Sequence, residues 1–253
     1  MDKLLRVENL NKDKILHQVS FEMKQGEMLA VMGPSGSGKS TLLYNVSGMD
    51  QPTGGKVWLG DTEITGLSED AKADLRLHQM GFIFQQMNMI ANLNILDNIL
   101  LPVMQANKGK GGKSKSELMA EAKRRMRQLS ISELGSRQIT QVSGGQLQRA
   151  CICRSIMNEP EILFADEPTG ALNKSAAEEV VAELLKLNRE GMSILIVTHD
   201  SKVASTCDRI MYLLDGRIRG ELKLGKPGNS MEKQREERVN TVSYTHLTLP
   251  TIA

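Results

Sequence analysis

The chain of 253 residues is long enough for one large domain or two small ones. Its 32 Lys and Arg residues nearly balance 30 Asp and Glu residues, and a net charge of +2 lacks the basic excess of nucleic-acid-binding domains, so we expect no nucleic-acid partner. An apolar content of 40% with 25% charged residues excludes a disordered or collagen-like chain. Residues 1–8 predict no signal peptide, and the longest uncharged stretch, residues 77–96, holds too many amide side chains to span a bilayer.

Two kinds of strand are predicted along the chain. Runs that are apolar on both faces are typical of buried parallel strands. They occur at Met28–Met32, Ile162–Ala165 and Ile194–Val197. Segments that alternate apolar and polar residues are typical of half-exposed antiparallel strands. They occur at Leu4–Val7, Val19–Glu22 and Lys56–Leu59.

Between residues 85 and 160 the pattern becomes helical. One apolar helix face is predicted from the spacing i, i+4, i+8, i+11 of Leu118, Ala122, Met126 and Leu129. Before it, Gln105–Ser116 is rich in Lys, Gly and Ser and is predicted to be a flexible exposed loop. The sequence therefore predicts an α/β fold with a parallel sheet core, a small antiparallel β subdomain and a helical subdomain over about residues 86–160.

A glycine-rich segment follows the first buried strand. It fits the pattern G-x-x-x-x-G-K-[ST], with a predicted helix, Ser40–Ser47, after it. The backbone N–H groups of such a loop point at phosphate oxygens, and the helix N-terminus adds partial positive charge. We expect Lys39 to reach the β- and γ-phosphates of a nucleotide and the Ser40 hydroxyl to bind Mg²⁺. The predicted phosphate-binding residues are Gly33, Pro34, Ser35, Gly36, Ser37, Gly38, Lys39, Ser40 and Thr41.

The buried strand Ile162–Ala165 is followed by two acidic residues. Asp166 fits the Walker B role, in which a carboxylate holds Mg²⁺ through its water shell. Glu167 points the opposite way along the strand edge and is expected to orient or deprotonate an attacking water. Taken alone, such a pair is usually a solvated strand end, but the P-loop upstream favours the functional interpretation.

A second candidate anion site lies at Ser143–Gln146. Ser143 is predicted to cap the helix that follows, and Gly144 and Gly145 leave the backbone bare at the start of that helix. A flexible loop before a helix is the alternative, and the segment by itself favours neither.

The order of the motifs resembles the ATP-binding cassette (ABC) ATPase family, a branch of the P-loop NTPases, over residues 2–224. That order is the P-loop, Gln85 after an apolar run, Ser143–Gln146, Asp166–Glu167 and His199 after a strand. The resemblance implies that Gln85 contacts Mg²⁺ or the attacking water and relays movement to a membrane partner, and that His199 senses the γ-phosphate. It also implies that Ser143, Gly144, Gly145 and Gln146 cap the γ-phosphate bound on the opposite subunit, so that a homodimer sandwiches ATP.

The resemblance thus implies two small sets of reactive residues. The catalytic set is Glu167, His199 and Gln85, and the set that binds Mg²⁺ is Ser40, Gln85 and Asp166. In two places the chain departs from the family. The segment Asn11–His17 lacks the aromatic residue that usually stacks on adenine, which leaves Ile15 or His17 to cover the ring, and Asn173 stands where the D-loop commonly has Asp.

Segments at Gly81–Gln85, Asp166–Asn173 and Cys207–Ile210 resemble a subgroup, the ATPases of macrolide export and lipoprotein release, and above all those of bacitracin or lantibiotic resistance. This implies a separate integral membrane permease, a position at the cytoplasmic face of the plasma membrane, and antimicrobial peptide export or resistance. Two alternatives stay open. One is a cassette that drives a non-transport membrane process such as cell-wall remodelling or division, and the other is a soluble cassette ATPase of DNA repair or translation.

We predict an ABC ATPase domain at residues 1–225 and a charged C-terminal tail at 226–241. Residues 242–253 are predicted to be non-native, because Val242–Thr251 carries no charge and resembles translated read-through of a transposase-type sequencing adapter. The segment Gln105–Arg127 has eight Lys or Arg residues against Glu117 and Glu121, a local charge of +6. Its lysines, Lys108, Lys110, Lys113 and Lys115 among them, form either a solvated face or a contact with anionic lipid.

Overall fold

A computed structural model describes residues 3–107, 112–226 and 232–248 of the chain. The ten strands in these ranges are β1 (Lys3–Lys12), β2 (Leu16–Lys24), β3 (Met28–Met32), β4 (Gly54–Leu59), β5 (Thr62–Glu63), β6 (Met80–Ile83), β7 (Ile162–Asp166), β8 (Ser193–Thr198), β9 (Arg209–Leu214) and β10 (Arg217–Lys223). The eight α-helices in the same ranges are α1 (Lys39–Val46), α2 (Glu69–Gln79), α3 (Ile95–Ala106), α4 (Lys115–Gln128), α5 (Gly144–Ser155), α6 (Lys174–Arg189), α7 (Ser201–Ser205) and α8 (Glu232–Thr248). Each of the six predicted strands lies within an observed strand of equal or greater length, so all six are confirmed.

The chain divides into two compact units. The first comprises Met1–Lys72 and Asn188–Ala253, and the second Ala73–Leu187. In the first unit, β2, β1, β4 and β5 form an antiparallel sheet in that order, with Val7 paired to Phe21 on one side and to Val57 on the other. In the same unit, β3 pairs in parallel with β8 and with β9, while β10 pairs with β9 in the antiparallel sense. Every residue of β3 and β8 is buried, as expected of strands covered on both faces.

The second unit combines two parallel strands with helices. β6 and β7 pair in register, Ile83 opposite Ala165. Helices α3, α4 and α5 pack against one another. The predicted apolar face of α4 is confirmed, since Leu118, Ala122, Met126 and Leu129 are all buried. These elements give the α/β class, with parallel strands, a small antiparallel sheet and a helical region, and the predicted fold class is confirmed.

The predicted loop Gln105–Ser116 is wrong at both ends. Helix α3 continues through Ala106, and α4 already begins at Lys115. Ser114 and Glu117 form a capping box at the start of α4, in which the Ser114 hydroxyl accepts from the Glu117 N–H and the Glu117 carboxylate accepts from the Ser114 N–H. The shorter connection includes Lys108 and Lys110, which lie outside the described residues.

Helix α8 runs across residue 242, the predicted start of the non-native segment. Its Arg235 side chain is buried and donates hydrogen bonds to backbone carbonyls at the end of α7 and after β10. These hydrogen bonds hold α8 to the end of α7 and to the segment after β10, within the first unit. Over the described ranges, no helix is both long enough and apolar enough to cross a bilayer.

Candidate nucleotide site

The candidate residues divide between the two units. The P-loop and His199 belong to the first unit, whereas Gln85, Ser143–Gln146, Asp166 and Glu167 belong to the second. Within each unit, the pairing of parallel strands places some of these candidate residues at the same edge of the sheet.

The P-loop begins directly after β3 and ends in the first turn of α1. Gly38 is the N-cap of α1 and has a φ of +96°, a left-handed conformation that strains any residue with a Cβ. Neither an N-cap side chain nor an acidic residue occupies the start of this helix, so no carboxylate offsets the partial positive charge of its N-terminus there. The segment is therefore built as a phosphate cradle.

Two side chains of the P-loop strengthen this interpretation. The Lys39 ammonium lies over the loop, where it donates to the carbonyls of Gly33 at 2.9 Å and Pro34 at 3.0 Å. The Ser37 hydroxyl is buried and has no hydrogen-bond partner among the described residues. A buried polar atom without a partner is costly to the fold, so its presence fits a ligand that supplies oxygens. The residues present thus suit a triphosphate.

His199 stands at the same edge of the first unit. Met32, the last residue of β3, is paired with Thr198, the last residue of β8. The P-loop follows directly after Met32 and His199 directly after Thr198, so both lie at the same end of this strand pair. The turn that carries His199 is held by its neighbours, because the Asp200 N–H donates to the Thr198 hydroxyl at 3.0 Å and the Asp200 carboxylate caps α7. His199 itself is exposed.

In the second unit, the parallel pair β6 and β7 brings Gln85 and Glu167 to one edge. The Gly170 N–H donates to the Glu167 carbonyl at 3.0 Å, and a Cβ placed on Gly170 would lie 3.3 Å from the Gln85 amide nitrogen. Asp166 is buried at the end of β7, and its carboxylate is the kind of hard oxygen donor that Mg²⁺ prefers. Glu167 has a φ of +46°, which is rare for a residue with a side chain.

The segment Ser143–Gln146 starts helix α5 as predicted. Ser143 is the N-cap, and its hydroxyl accepts from the Gln146 N–H while the Gln146 side chain accepts from the Ser143 N–H. A Cβ on Gly145 would lie 2.8 Å from the Cβ of Ala176 in α6, so this glycine allows two helices to approach closely. The capped helix start shows that this segment is ordered and not a flexible loop.

Sequence reasoning missed the residues that support these motifs. Ala176 packs on Gly145, and Gly170 lies beside Gln85. Their small size is the only signal of these contacts in the sequence. Asn173, noted as a departure, accepts a hydrogen bond from the Ala176 N–H at 3.0 Å and so caps the start of α6.

Another close approach involves Ile15, in the segment expected to lie near adenine. Ile15 is 40% exposed, and its Cγ2 lies 3.3 Å from the position of a Cβ on Gly38, beside the P-loop. The His17 N–H donates to the Gly216 carbonyl at 2.9 Å.

A P-loop between a buried parallel strand and a helix defines a nucleoside triphosphatase of the P-loop class. The profile of a family described as ABC transporter matches residues 16–170, more than half of the chain. The chain therefore belongs to the ABC transporter family and is an ATP-binding, ATP-hydrolysing cassette of it. The family resemblance seen in the sequence is confirmed.

Relatives and solved structures agree with this assignment. The lipoprotein-releasing system ATP-binding protein LolD of Anaeromyxobacter dehalogenans is 42% identical over 205 residues, which are 81% of this chain and 84% of the relative. The macrolide export ATP-binding/permease protein MacB of Bradyrhizobium diazoefficiens is 40% identical over 203 residues, 80% of this chain and 30% of the relative. The dimeric structure of MJ0796, a cassette from Methanocaldococcus jannaschii, matches with a TM-score of 0.80 at 36% identity and covers 87% of this chain and 99% of that one.

Proposed function

We propose that this cassette hydrolyses ATP at a site in which the P-loop, residues 33–41, binds the phosphates and Glu167 activates the attacking water. The observation that carries the proposal is the strand register. It sets the P-loop beside His199 in one unit and Gln85 beside the Glu167 turn in the other, each at the carboxyl end of paired parallel strands. In open α/β sheets, ligands bind at that end.

Each residue then has a separate task. Lys39 and the backbone N–H groups at the start of α1 neutralise and orient the phosphates. The Glu167 carboxylate accepts a proton from water, Gln85 orients that water, and His199 donates to the γ-phosphate. The residues that would hold Mg²⁺ are Ser40, Gln85 and Asp166. When bound there, Mg²⁺ would supply positive charge that stabilises the negative charge developing on the phosphate in the transition state.

We further propose that the working form is a homodimer. A solved structure of MJ0796 in a post-hydrolysis state with ADP and Pi is dimeric, which supports this arrangement. Ser143, Gly144, Gly145 and Gln146 of one subunit would then close over the γ-phosphate held by the P-loop of the other. The start of α5 supports this role, because a helix N-terminus carries partial positive charge and the first turn of α5 holds no acidic residue.

The partner is proposed to be an integral membrane permease, with the cassette bound to the cytoplasmic face of the membrane. The relatives named for lipoprotein release and for macrolide export support a membrane partner and an outward process. The cargo class that we propose is antimicrobial peptides, because the chain, in the segments Gly81–Gln85, Asp166–Asn173 and Cys207–Ile210, resembles the ATPases of bacitracin or lantibiotic resistance.

The substitution Glu167→Gln tests the mechanism. It keeps the shape of the side chain but removes the base, and loss of a general base typically lowers the rate by about 10²–10⁴. We expect turnover to fall by that factor while ATP binding persists, so that a dimer accumulates with Mg-ATP in size-exclusion chromatography with light scattering. Turnover at the parental rate would refute the assigned base.

Two further variants separate binding from dimer closure. Lys39→Ala should weaken nucleotide binding and prevent the dimer. Ser143→Arg should block dimer closure but leave binding to the monomer intact. Because Ser143→Arg also breaks a capping box, Ser114→Arg is its matched control, since it breaks the equivalent box at α4. Loss of the dimer in both serine variants would show that the missing cap, not the shared site, is responsible.

A further inference from the structure

Helix α4 carries a basic surface that the nucleotide site does not use. Lys115, Lys123 and Arg127 are exposed and fall within an arc of about 120° along about 18 Å of the helix. The buried stripe of Leu118, Ala122 and Met126 adjoins this arc and overlaps it at the Lys115 end. We define Lys115, Lys123 and Arg127, together with Lys113 in the segment just before the helix, as the basic face.

The acidic residues of α4 do not neutralise this face. The Glu117 carboxylate accepts from the Ser114 N–H at 2.6 Å, and hydrogen bonds from Ser114 lower its pKa. Glu121 is bound by Arg124 at 2.6 Å and by Arg125 at 2.8 Å, and the Arg124 hydrogen bond above all lowers its pKa to about 2. Both carboxylates are thus ionised and already committed to partners.

Among the described residues, the cations of the basic face have few partners. Lys115, Lys123 and Arg127 form no ion pair in the described ranges, and Lys113 reaches only Glu159, at 3.9 Å. Three cations on one side of the helix therefore have no carboxylate partner among the described residues, and Lys113, just before the helix, has only this distant one. A uniformly negative surface suits such a face, whereas a protein partner usually offers charges of both signs.

Helix α3, which packs against α4, carries an exposed apolar side chain. Met104, in the last turn of α3, is 51% exposed. The Asn107 side chain donates to the Lys113 carbonyl at 2.6 Å and ties the end of α3 to the segment that leads into α4. An apolar group near long basic side chains fits the boundary between lipid head groups and acyl chains, because lysine and arginine can extend their charges to the head groups.

We propose that the basic face, together with Met104 of the adjoining helix α3, binds the surface of an anionic lipid bilayer. This contact is independent of the nucleotide site, and it adds a direct lipid attachment to the proposed attachment through a permease. Each cation near an anionic surface contributes a factor of about five in partition coefficient.

The test compares two charge-matched variants of the full chain without nucleotide. The first is Lys113→Gln with Lys115→Gln, Lys123→Gln and Arg127→Gln. The control is Lys202→Gln with Arg217→Gln, Arg219→Gln and Lys223→Gln, four exposed residues of the other unit. Both variants change the net charge from +2 to −2. Binding is measured by co-sedimentation with vesicles of phosphatidylcholine alone and of phosphatidylcholine with an equal share of phosphatidylglycerol.

We expect the parent and the control to bind the mixed vesicles in a salt-sensitive way and to leave phosphatidylcholine vesicles unbound. The α4 variant should bind the mixed vesicles at least about a hundredfold less. Equal loss in both variants, or no binding by the parent, would overturn the proposal. Normal vesicle binding by the α4 variant, with loss of permease-stimulated ATPase activity, would assign the face to the permease instead. Since vesicle binding is read without ATP, a wrong nucleotide site would leave these results unchanged.

Discussion

Glu167 combines a proposed catalytic role with an unfavourable backbone conformation. Its φ of +46° places it in the left-handed region, directly after the buried strand β7. A residue with a Cβ pays about 1–2 kcal/mol there, and such strain persists where the surrounding structure holds it. The strain at Glu167 therefore fits a residue retained for its carboxylate and not for its contribution to the stability of the fold.

Glycine at this position should therefore separate function from stability. We expect Glu167→Gly to raise the free energy of unfolding by about 1 kcal/mol and to abolish ATP turnover. Glu159 is the matched control, because it also has a left-handed φ, +53°, but its side chain is exposed in a loop. Glu159→Gly should be similarly stabilising and should retain full activity. Urea denaturation and a phosphate-release assay measure both quantities, and a destabilised Glu167→Gly would contradict the strain argument.

At the scale of elements, α8 depends on one buried arginine. The Arg235 guanidinium donates to the carbonyls of Ser205 at 2.7 Å and Cys207 at 2.6 Å, and to those of Leu224 and Gly225 at 3.1 Å. Burial lowers the pKa of this group. A planar fork of donors can satisfy several carbonyls at once, which a lysine ammonium cannot do in the same geometry.

Removal of this guanidinium should weaken the attachment of α8 to the rest of the fold. We expect Arg235→Met to lower the free energy of unfolding by about 3 kcal/mol, because several buried carbonyls lose their donors. Arg238→Met makes the same chemical change at an exposed position of α8 and should alter stability by less than about 0.5 kcal/mol. Equal unfolding midpoints for the two variants in urea would show that α8 is not held in this way.

At the scale of the whole molecule, buried thiols occur in both units, two in the second and one in the first. Burial raises the pKa of Cys151 to about 11 in the second unit, and it raises the pKa of Cys153 and that of Cys207 to about 12. All three cysteines are free. They behave as small apolar residues of the core, and their thiolates are too scarce at neutral pH to be reactive.

The raised values predict an alkaline loss of stability. The folded chain keeps thiol protons that the unfolded chain releases, so this stabilisation is complete below about pH 9 and is lost as pH rises towards 11 and 12. In that window we expect each thiol to lower the free energy of unfolding by about 1.4 kcal/mol per pH unit. The triple variant to Ala should show a shallower alkaline limb in urea titrations, although it is less stable at pH 7. Rapid alkylation of the native thiols at pH 8 would contradict their burial.

Features set by neighbours in the chain were visible in the sequence. The P-loop pattern, the apolar runs of β3, β7 and β8, and the Ser143 cap all depend on residue types within a few positions, so spacing alone predicts them. The capping box of Ser114 and Glu117 is equally local and marks the start of α4. The composition of Gln105–Ser116 does not contain this signal, which is why a loop predicted from composition alone had the wrong ends. The family and the order of its motifs followed from the same local signals.

The tertiary structure alone decided the contacts between residues distant in the chain. The pairing of Met32 with Thr198, which sets His199 beside the P-loop, is a choice of strand register and order. The approach of Gly145 to Ala176 and the hold of Arg235 on four distant carbonyls likewise arise when packed elements share space. Such contacts depend on how buried surfaces of separate elements fit together, and no spacing along the chain encodes that fit.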